Sequence, residues 1–115
     1  MSEEHVVNGV AHFDVAGPEL DPLARFYAEV FGWSVDVKGP GYALVGTPTG
    51  SADGALVEAP DASLTIGVVV DDVDAAIEAA TGRGGSVLMP KTDNGWVVKA
   101  QVADPAGNPL TLIER

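Results

Sequence analysis

With 115 residues, 46% of them hydrophobic, and no cysteine, the chain is long enough for one compact domain with a real core and can form neither a disulfide nor a thiolate metal site. Its 17 acidic residues against 6 basic ones give a net charge of −11, a field that repels a phosphate backbone, so nucleic acid is excluded as a partner. No apolar run approaches the roughly 20 residues that span a bilayer, and Met1-Ser2-Glu3-Glu4-His5 is acidic where a secretory signal is basic, so a cytoplasmic location is expected.

Residues 1–8 read as a frayed leader without turn or cap signals. A strand is expected from about Gly9 to Ala16, with Val10, His12 and Asp14 on one face and Ala11, Phe13 and Val15 on the other. The helix that follows should take Asp21 as its N-cap and Pro22 as its first residue. Leu23, Phe26, Tyr27 and Val30 fall at helical spacing and form its core stripe, and Gly32 supplies the left-handed stop. Trp33 to Lys38 and Tyr42 to Gly46 read as a hairpin around Gly39-Pro40-Gly41, Thr47 to Asp53 as a loop, and Gly54 to Glu58 as a short fourth strand. Ala59-Pro60-Asp61-Ala62 is a linker, because proline cannot join a central ladder.

The same order then repeats. Leu64 to Val70 is a strand, and Asp71, Asp72 and Asp74 put negative charge at the positive end of a helix running to about Thr81. Gly82, Gly84 and Gly85 end it, Ser86 to Met89 is a strand, Pro90 to Gly95 a loop, and Trp96 to Ala103 a long strand. Asp104-Pro105-Ala106-Gly107-Asn108 reads as a tight turn into a closing strand from Leu110 to Glu114. A shift of about 53 residues lays Thr65-Ile66-Gly67-Val68 over His12-Phe13-Asp14-Val15, Val73-Asp74 over Leu20-Asp21, and Gly85 over Gly32, the mark of a duplicated module. The expected fold is therefore α+β, one domain over 1–115 made of two βαβββ modules at about 9–59 and 63–114.

The runs HFDV, RFYAEVFGW, VVVDDVDAAIEAA and DPAGNPLTLIE, in this order and covering about Gly9 to Glu114, resemble the vicinal oxygen chelate superfamily. That superfamily includes glyoxalase I, extradiol dioxygenases, methylmalonyl-CoA epimerase, fosfomycin-resistance enzymes and bleomycin-resistance proteins. The resemblance implies a curved mixed sheet around a cavity, helices outside, and, in the enzymes, His and Glu metal ligands on the first and last strands of each module. Carried over by residue, His12 stands at the first such position and Thr65 at its counterpart, Thr111 replaces the closing Glu, and Glu58 is the candidate on the fourth strand. A neutral hydroxyl is a poor donor to a divalent cation, so no metal and no cofactor are expected.

Other chemistry is set aside faster. Gly82-Arg83-Gly84-Gly85 follows a helix instead of opening one, so it lacks the geometry of a phosphate-binding turn. The polar groups on inward positions are Asp14, Thr65, Lys99, Gln101 and Thr111, flanked by Trp33, Tyr42 and Trp96, with rim packing as the plainer reading of the tryptophans. Together with His12 and Glu58 these are the expected ligand-binding residues. The resemblance and the acidity point to a metal-independent binding protein similar to the bleomycin-resistance, antibiotic-sequestering branch, with a small organic ligand, cationic or aromatic. The alternative is a metal-dependent lyase, isomerase or oxygenase of the same superfamily, and a third is a module with an interaction role only. A homodimer is expected, since half-barrels leave strand edges to cover.

Overall fold

The computed structural model describes residues 7–48 and 53–114. The leader expected over 1–8 lies outside these at 1–6, and the expected 47–53 loop does so at 49–52. Ten elements follow one another: β1 (Val10–Gly17), α1 (Leu20–Phe31), β2 (Ser34–Gly39), β3 (Tyr42–Gly46), β4 (Asp53–Glu58), β5 (Ser63–Val70), α2 (Val73–Gly82), β6 (Ser86–Asp93), β7 (Val98–Ala103) and β8 (Pro109–Glu114). The chain is thus α+β, with the order βαβββ occurring twice. It forms two compact units, one of His12–Leu64 and one of the residues from Thr65 onward together with the segment ending at Ala11.

In the His12–Leu64 unit the strand order is β2-β3-β4-β1. β1 and β4 run parallel, as a crossover through α1 requires, and the remaining pairs are antiparallel. Val15, Leu20, Ala43, Val45 and Leu56 form the buried core beneath α1, with Phe13, Leu23, Ala24, Tyr27, Trp33 and Val35 packed against it. Gly54 lies directly under the Phe13 ring, where an added Cβ would come within 2.5 Å of it, so only glycine lets β4 approach β1 there. Gly32 ends α1 in the left-handed region at φ 72°, and its N–H reaches the Ala28 carbonyl at 3.0 Å.

The start of α1 departs from expectation. The helix begins two residues earlier than expected, at Leu20, its N-cap is Glu19 rather than Asp21, and Glu19 makes no side-chain capping bond. The first helical N–H, that of Leu20, is instead satisfied from a distant strand, donating to Glu58 Oε2 at 3.0 Å. A carboxylate accepting from the otherwise unpaired first N–H of the helix also suits the positive end of its dipole.

The second unit repeats the plan in the order β5-β8-β7-β6, with β5 and β8 parallel. Its core is Val70, Val73, Ala100, Val102 and Leu112 under α2. Here the helix is capped locally, Asp72 Oδ1 accepting from the Ala75 N–H at 3.2 Å. Lys91 on β6 reaches Asp74 on α2 at 2.9 Å, and the carboxylate holds its ammonium pKa above the ordinary lysine value.

Asn8, expected as part of the leader, and Gly9, expected to open the first strand, pair with β5: the Asn8 N–H donates to the Val69 carbonyl at 2.6 Å and the Val69 N–H to Gly9 O at 3.1 Å. Pro90 does not end a strand either. β6 runs through it to Asp93, because β6 is the outer strand of its unit, where a missing N–H deprives no neighbour, and the register shifts on both sides of Met89. Trp96, expected within β7, stands outside it, since the Asn94 side chain captures the N–H groups of Trp96 and Val97 at 2.9 and 3.0 Å and closes a turn.

The distant cap gives a direct test. Glu58→Ala should lower stability to urea by about 1 kcal/mol, the usual worth of a helix cap, with Glu58→Gln in between. Unchanged midpoints in both variants would show that the bond to Leu20 contributes nothing.

Candidate functional site

Residues paired across neighbouring strands share a face, so the registers sort each sheet into a helix side and an open side. In the His12–Leu64 unit three rows cross the open side. One holds His12, Asp53, Gly46 and Ser34; the next holds Asp14, Ala55, Leu44 and Asp36; the third holds Ala16, Val57 and Tyr42. The result is an apolar strip of Leu44, Val57 and Tyr42, with Ala55 fully buried in the same face, bordered by carboxylates. Tyr42 and Leu44 are 41% and 38% exposed although nothing of their own helix covers them.

His12 and Asp14 stand two residues apart on β1 and therefore side by side. His12 Nε2 lies 3.0 Å from Asp14 Oδ1, and both side chains are about one-third exposed, at 35% and 36%. A ring N–H at Nε2 donates to the carboxylate, which fixes the imidazole plane and leaves Nδ1 as the second nitrogen. At the far end of the same row Asp36 is held by Lys38 at 2.8 Å, and that contact raises the Lys38 pKa above its ordinary value.

Two of the expected residues of this unit lie elsewhere. Glu58 falls in register with Gly17, on the helix side, where it caps α1. Trp33 also faces α1: its ring stacks on Tyr27 at 5.3 Å and contacts Phe31 at 5.5 Å and Phe13 at 5.7 Å. With Phe26 edge-on to Tyr27 at 5.2 Å, these rings make an aromatic cluster on the helix side. Next to it is an apolar cleft of about 390 Å³ lined by Gly17, Pro18, Pro22, Leu23 and Phe26, a volume within the range of small-molecule sites.

In the second unit the open side carries Thr65, and then the rows Gly67, Thr111, Gln101, Met89 and Val69, Ile113, Lys99, Thr92. Thr65, Lys99, Gln101 and Thr111 thus share one face, and Gln101 Nε2 donates to Thr111 Oγ1 at 3.3 Å. Trp96 is 94% exposed on its turn, off this face. The open-side residues that sequence reasoning passes over include Asp36, Leu44, Asp53, Ala55, Val57, Met89 and Thr92. In the sequence Asp53 and Thr92 read as loop residues, and Ala55 and Val57 drop out once Glu58 is taken as the inward residue of β4, since alternation then inverts the strand.

Residues 10–113 match the family model of the glyoxalase-like domain. The chain belongs to this family, a branch of the vicinal oxygen chelate superfamily to which its sequence runs are similar. It is 30% identical over 111 residues to CFP32 of Mycobacterium tuberculosis, a protein provisionally named a glyoxylase, covering 86% of this chain and 42% of that one. It is 32% identical over 121 residues to the anthracycline biosynthesis protein DnrV of Streptomyces peucetius, covering 84% of this chain and 43% of that one. The chain therefore spans less than half the length of these two relatives. Among solved structures, a glyoxalase/bleomycin resistance protein/dioxygenase superfamily member from Vibrio splendidus shares the fold with a TM-score of 0.72 at 13% identity, over 93% of this chain and 98% of that one.

The registers also fix which residues of the two modules correspond at the positions that the resemblance marks for metal ligands. Asp14 opposes Ala55 on β4, and its repeat counterpart Gly67 opposes Thr111 on β8, so Ala55, not Glu58, is the equivalent of Thr111. The positions that the resemblance implies are thus His12 and Ala55 in one unit and Thr65 and Thr111 in the other: an imidazole with a methyl group, and two hydroxyls. Divalent metals are held in such sites by imidazole and carboxylate, so this donor set does not fit one. Among the described residues no group of three or more His, Asp or Glu is gathered for a metal. No helix of the described residues is long and apolar enough to cross a membrane.

Equilibration with Mn, Zn, Ni or Fe(II) followed by desalting should leave far less than one equivalent per chain, equally in wild type and His12→Ala. One equivalent in the wild type that vanishes in the variant would restore the metal site.

Proposed function

We propose that this protein binds a small organic molecule without a metal, and that the ligand is a flat or extended cation seated on the open side of the His12–Leu64 sheet. The observation that carries this reading is the apolar strip of Tyr42, Leu44 and Val57, bordered by Asp14 on β1, Asp53 on β4 and Asp36 on β2. Such a strip supplies contact area and a stacking ring, while the carboxylates and the net charge of −11 favour a positive group. The His12–Asp14 pair adds a donor or acceptor of fixed orientation at the edge of the strip.

Support from kinship is of the same kind. DnrV is named for anthracycline biosynthesis, and an anthracycline is a flat aromatic polyketide with an amino sugar, which unites the two properties this face selects. The loss of carboxylate and imidazole at three of four metal positions favours sequestration or transport over the metal-dependent chemistry of the superfamily's enzymes. A second reading places the aromatic body in the helix-side cleft beside Phe26, favoured by the ring cluster there and by the 52% exposure of Phe26.

Calorimetric titration with an amino-sugar anthracycline, its neutral N-acetyl derivative and an anthraquinone sulfonate separates these contributions. The cation should bind most tightly and the anion least, and added salt should narrow the differences, because attraction across solvent is screened beyond about 8 Å at physiological ionic strength. Tyr42→Ala and Asp14→Asn should each weaken the cation by about 1 kcal/mol, roughly fivefold, the first for all three ligands and the second for the cation alone. Equal affinity for all three charges would reduce the acidity to a matter of solubility. Tighter binding of a glutathione adduct or an acyl-CoA would replace sequestration by an enzymatic role.

A further inference from the structure

The turn between β6 and β7 contains the dipeptide Asn94-Gly95, and its hydrogen bonds are arranged around the one peptide nitrogen and the one side-chain carbonyl that can react with each other. We propose that Asn94 is a site of spontaneous intramolecular deamidation, promoted by this turn. Asn94 Oδ1 accepts from the N–H groups of both Trp96 and Val97, at 2.9 and 3.0 Å. The Gly95 N–H donates to Asp93 Oδ1 at 2.9 Å. Asp93, Asn94, Gly95 and Trp96 are all exposed to water.

Each contact has a chemical consequence. The Gly95 nitrogen attacks Asn94 Cγ as its proton passes toward the Asp93 carboxylate, so a base stands at the nucleophile. A C–N bond forms and negative charge develops on Oδ1, where two backbone N–H groups already point, the arrangement that stabilises an oxyanion. The Cγ–Nδ2 bond then breaks, and Nδ2 takes up a proton and leaves as ammonia. The cyclic imide that results is opened by one water, at either carbonyl carbon, to aspartate or isoaspartate. Nothing is oxidised or reduced, and the sum is asparagine plus water giving an acid plus ammonia.

Glycine in second place is required twice over. It presents no Cβ against the attacking geometry, and it holds φ at 91°, where other residues are strained. Asn8-Gly9, the second such dipeptide, provides an internal comparison: the Asn8 N–H and the Gly9 carbonyl are both committed to Val69. Conversion at Asn94 adds a negative charge beside Asp93, and in the isoaspartyl form inserts a methylene into the backbone of the turn that carries Trp96. A carboxyl methyltransferase specific for isoaspartate is the class of enzyme that would recognise the product.

The test is incubation of the intact protein at 37 °C and mildly alkaline pH, in buffer and in denaturing urea, with site-resolved mass spectrometry for the gain of about 1 Da and methyl transfer by an isoaspartate methyltransferase as a second readout. In the folded protein Asn94 should convert at least about threefold faster than Asn8, and faster than Asn94 itself in urea. Asp93→Asn should slow Asn94 severalfold without affecting Asn8, and Gly95→Ala should slow it about tenfold or more. An Asn94 that converts more slowly folded than unfolded would mean that the same hydrogen bonds protect it, and would overturn the proposal. So would equal rates in wild type and Asp93→Asn, both variants being judged folded by their circular dichroism.

Discussion

Everything in this chain hangs on the pairing of the first and last strands of each module in parallel. A parallel pair needs a crossover, the crossover is a helix, and the helix must bury one face of the sheet it crosses. Once Phe13, Val15 and Leu56 are committed to α1, strict alternation sends His12, Asp14 and Ala55 to the other side. The same logic, run on β5 and β8, commits Val68, Val70 and Leu112 to α2 and delivers Thr65, Gly67 and Thr111 to the opposite face. A slip of one residue in either pair would exchange core for site completely.

The strength of that constraint explains what could be read without coordinates. The duplication, the order of elements and the left-handed stop at Gly32 are legible because they rest on local periodicity and on single-residue stereochemistry, whereas the expected α1 stripe is right only in part: Leu23 and Tyr27 pack on the core, but Phe26 and Val30 are 52% and 57% exposed. The position of His12 beside Asp14 was legible for the same reason, since two residues apart on a strand means one face. What escaped was non-local. Glu58 looks like an inward residue at the end of a short apolar strand, and only the register with Gly17 turns it to the helix, where it serves an N-terminus 38 positions away in the chain. Pro90 looks like a break, and only the outer place of β6 makes it tolerable.

Trp33 and Trp96 illustrate a second limit. Both are large aromatic residues following a glycine, and composition alone gives them equal claim to a ligand. Trp33 is drawn into the ring cluster beside α1 because the helix stops at Gly32, just before it, with Tyr27 packed on the core and the half-exposed Phe31 alongside. Trp96 is pushed outward because Asn94 binds the backbone that would otherwise extend β7. In each case the decisive element is a short-range hydrogen bond or a helix stop that redirects the chain by one or two residues. The metal positions depend on the same small displacements, and correcting Glu58 to Ala55 removes the one carboxylate that sequence reasoning had left in the set.

The proposed ligand site is the open side of the His12–Leu64 sheet, away from the aromatic cluster. Nuclear magnetic resonance titration of the isotope-labelled protein with the amino-sugar anthracycline tests it residue by residue. Saturating shifts at His12, Asp14, Tyr42, Leu44 and Val57, with the amides of Leu23, Phe26 and Tyr27 unmoved, are the predicted result. Shifts concentrated on Leu23, Phe26 and Phe31, with the His12 ring unaffected, would contradict it and assign binding to the helix side.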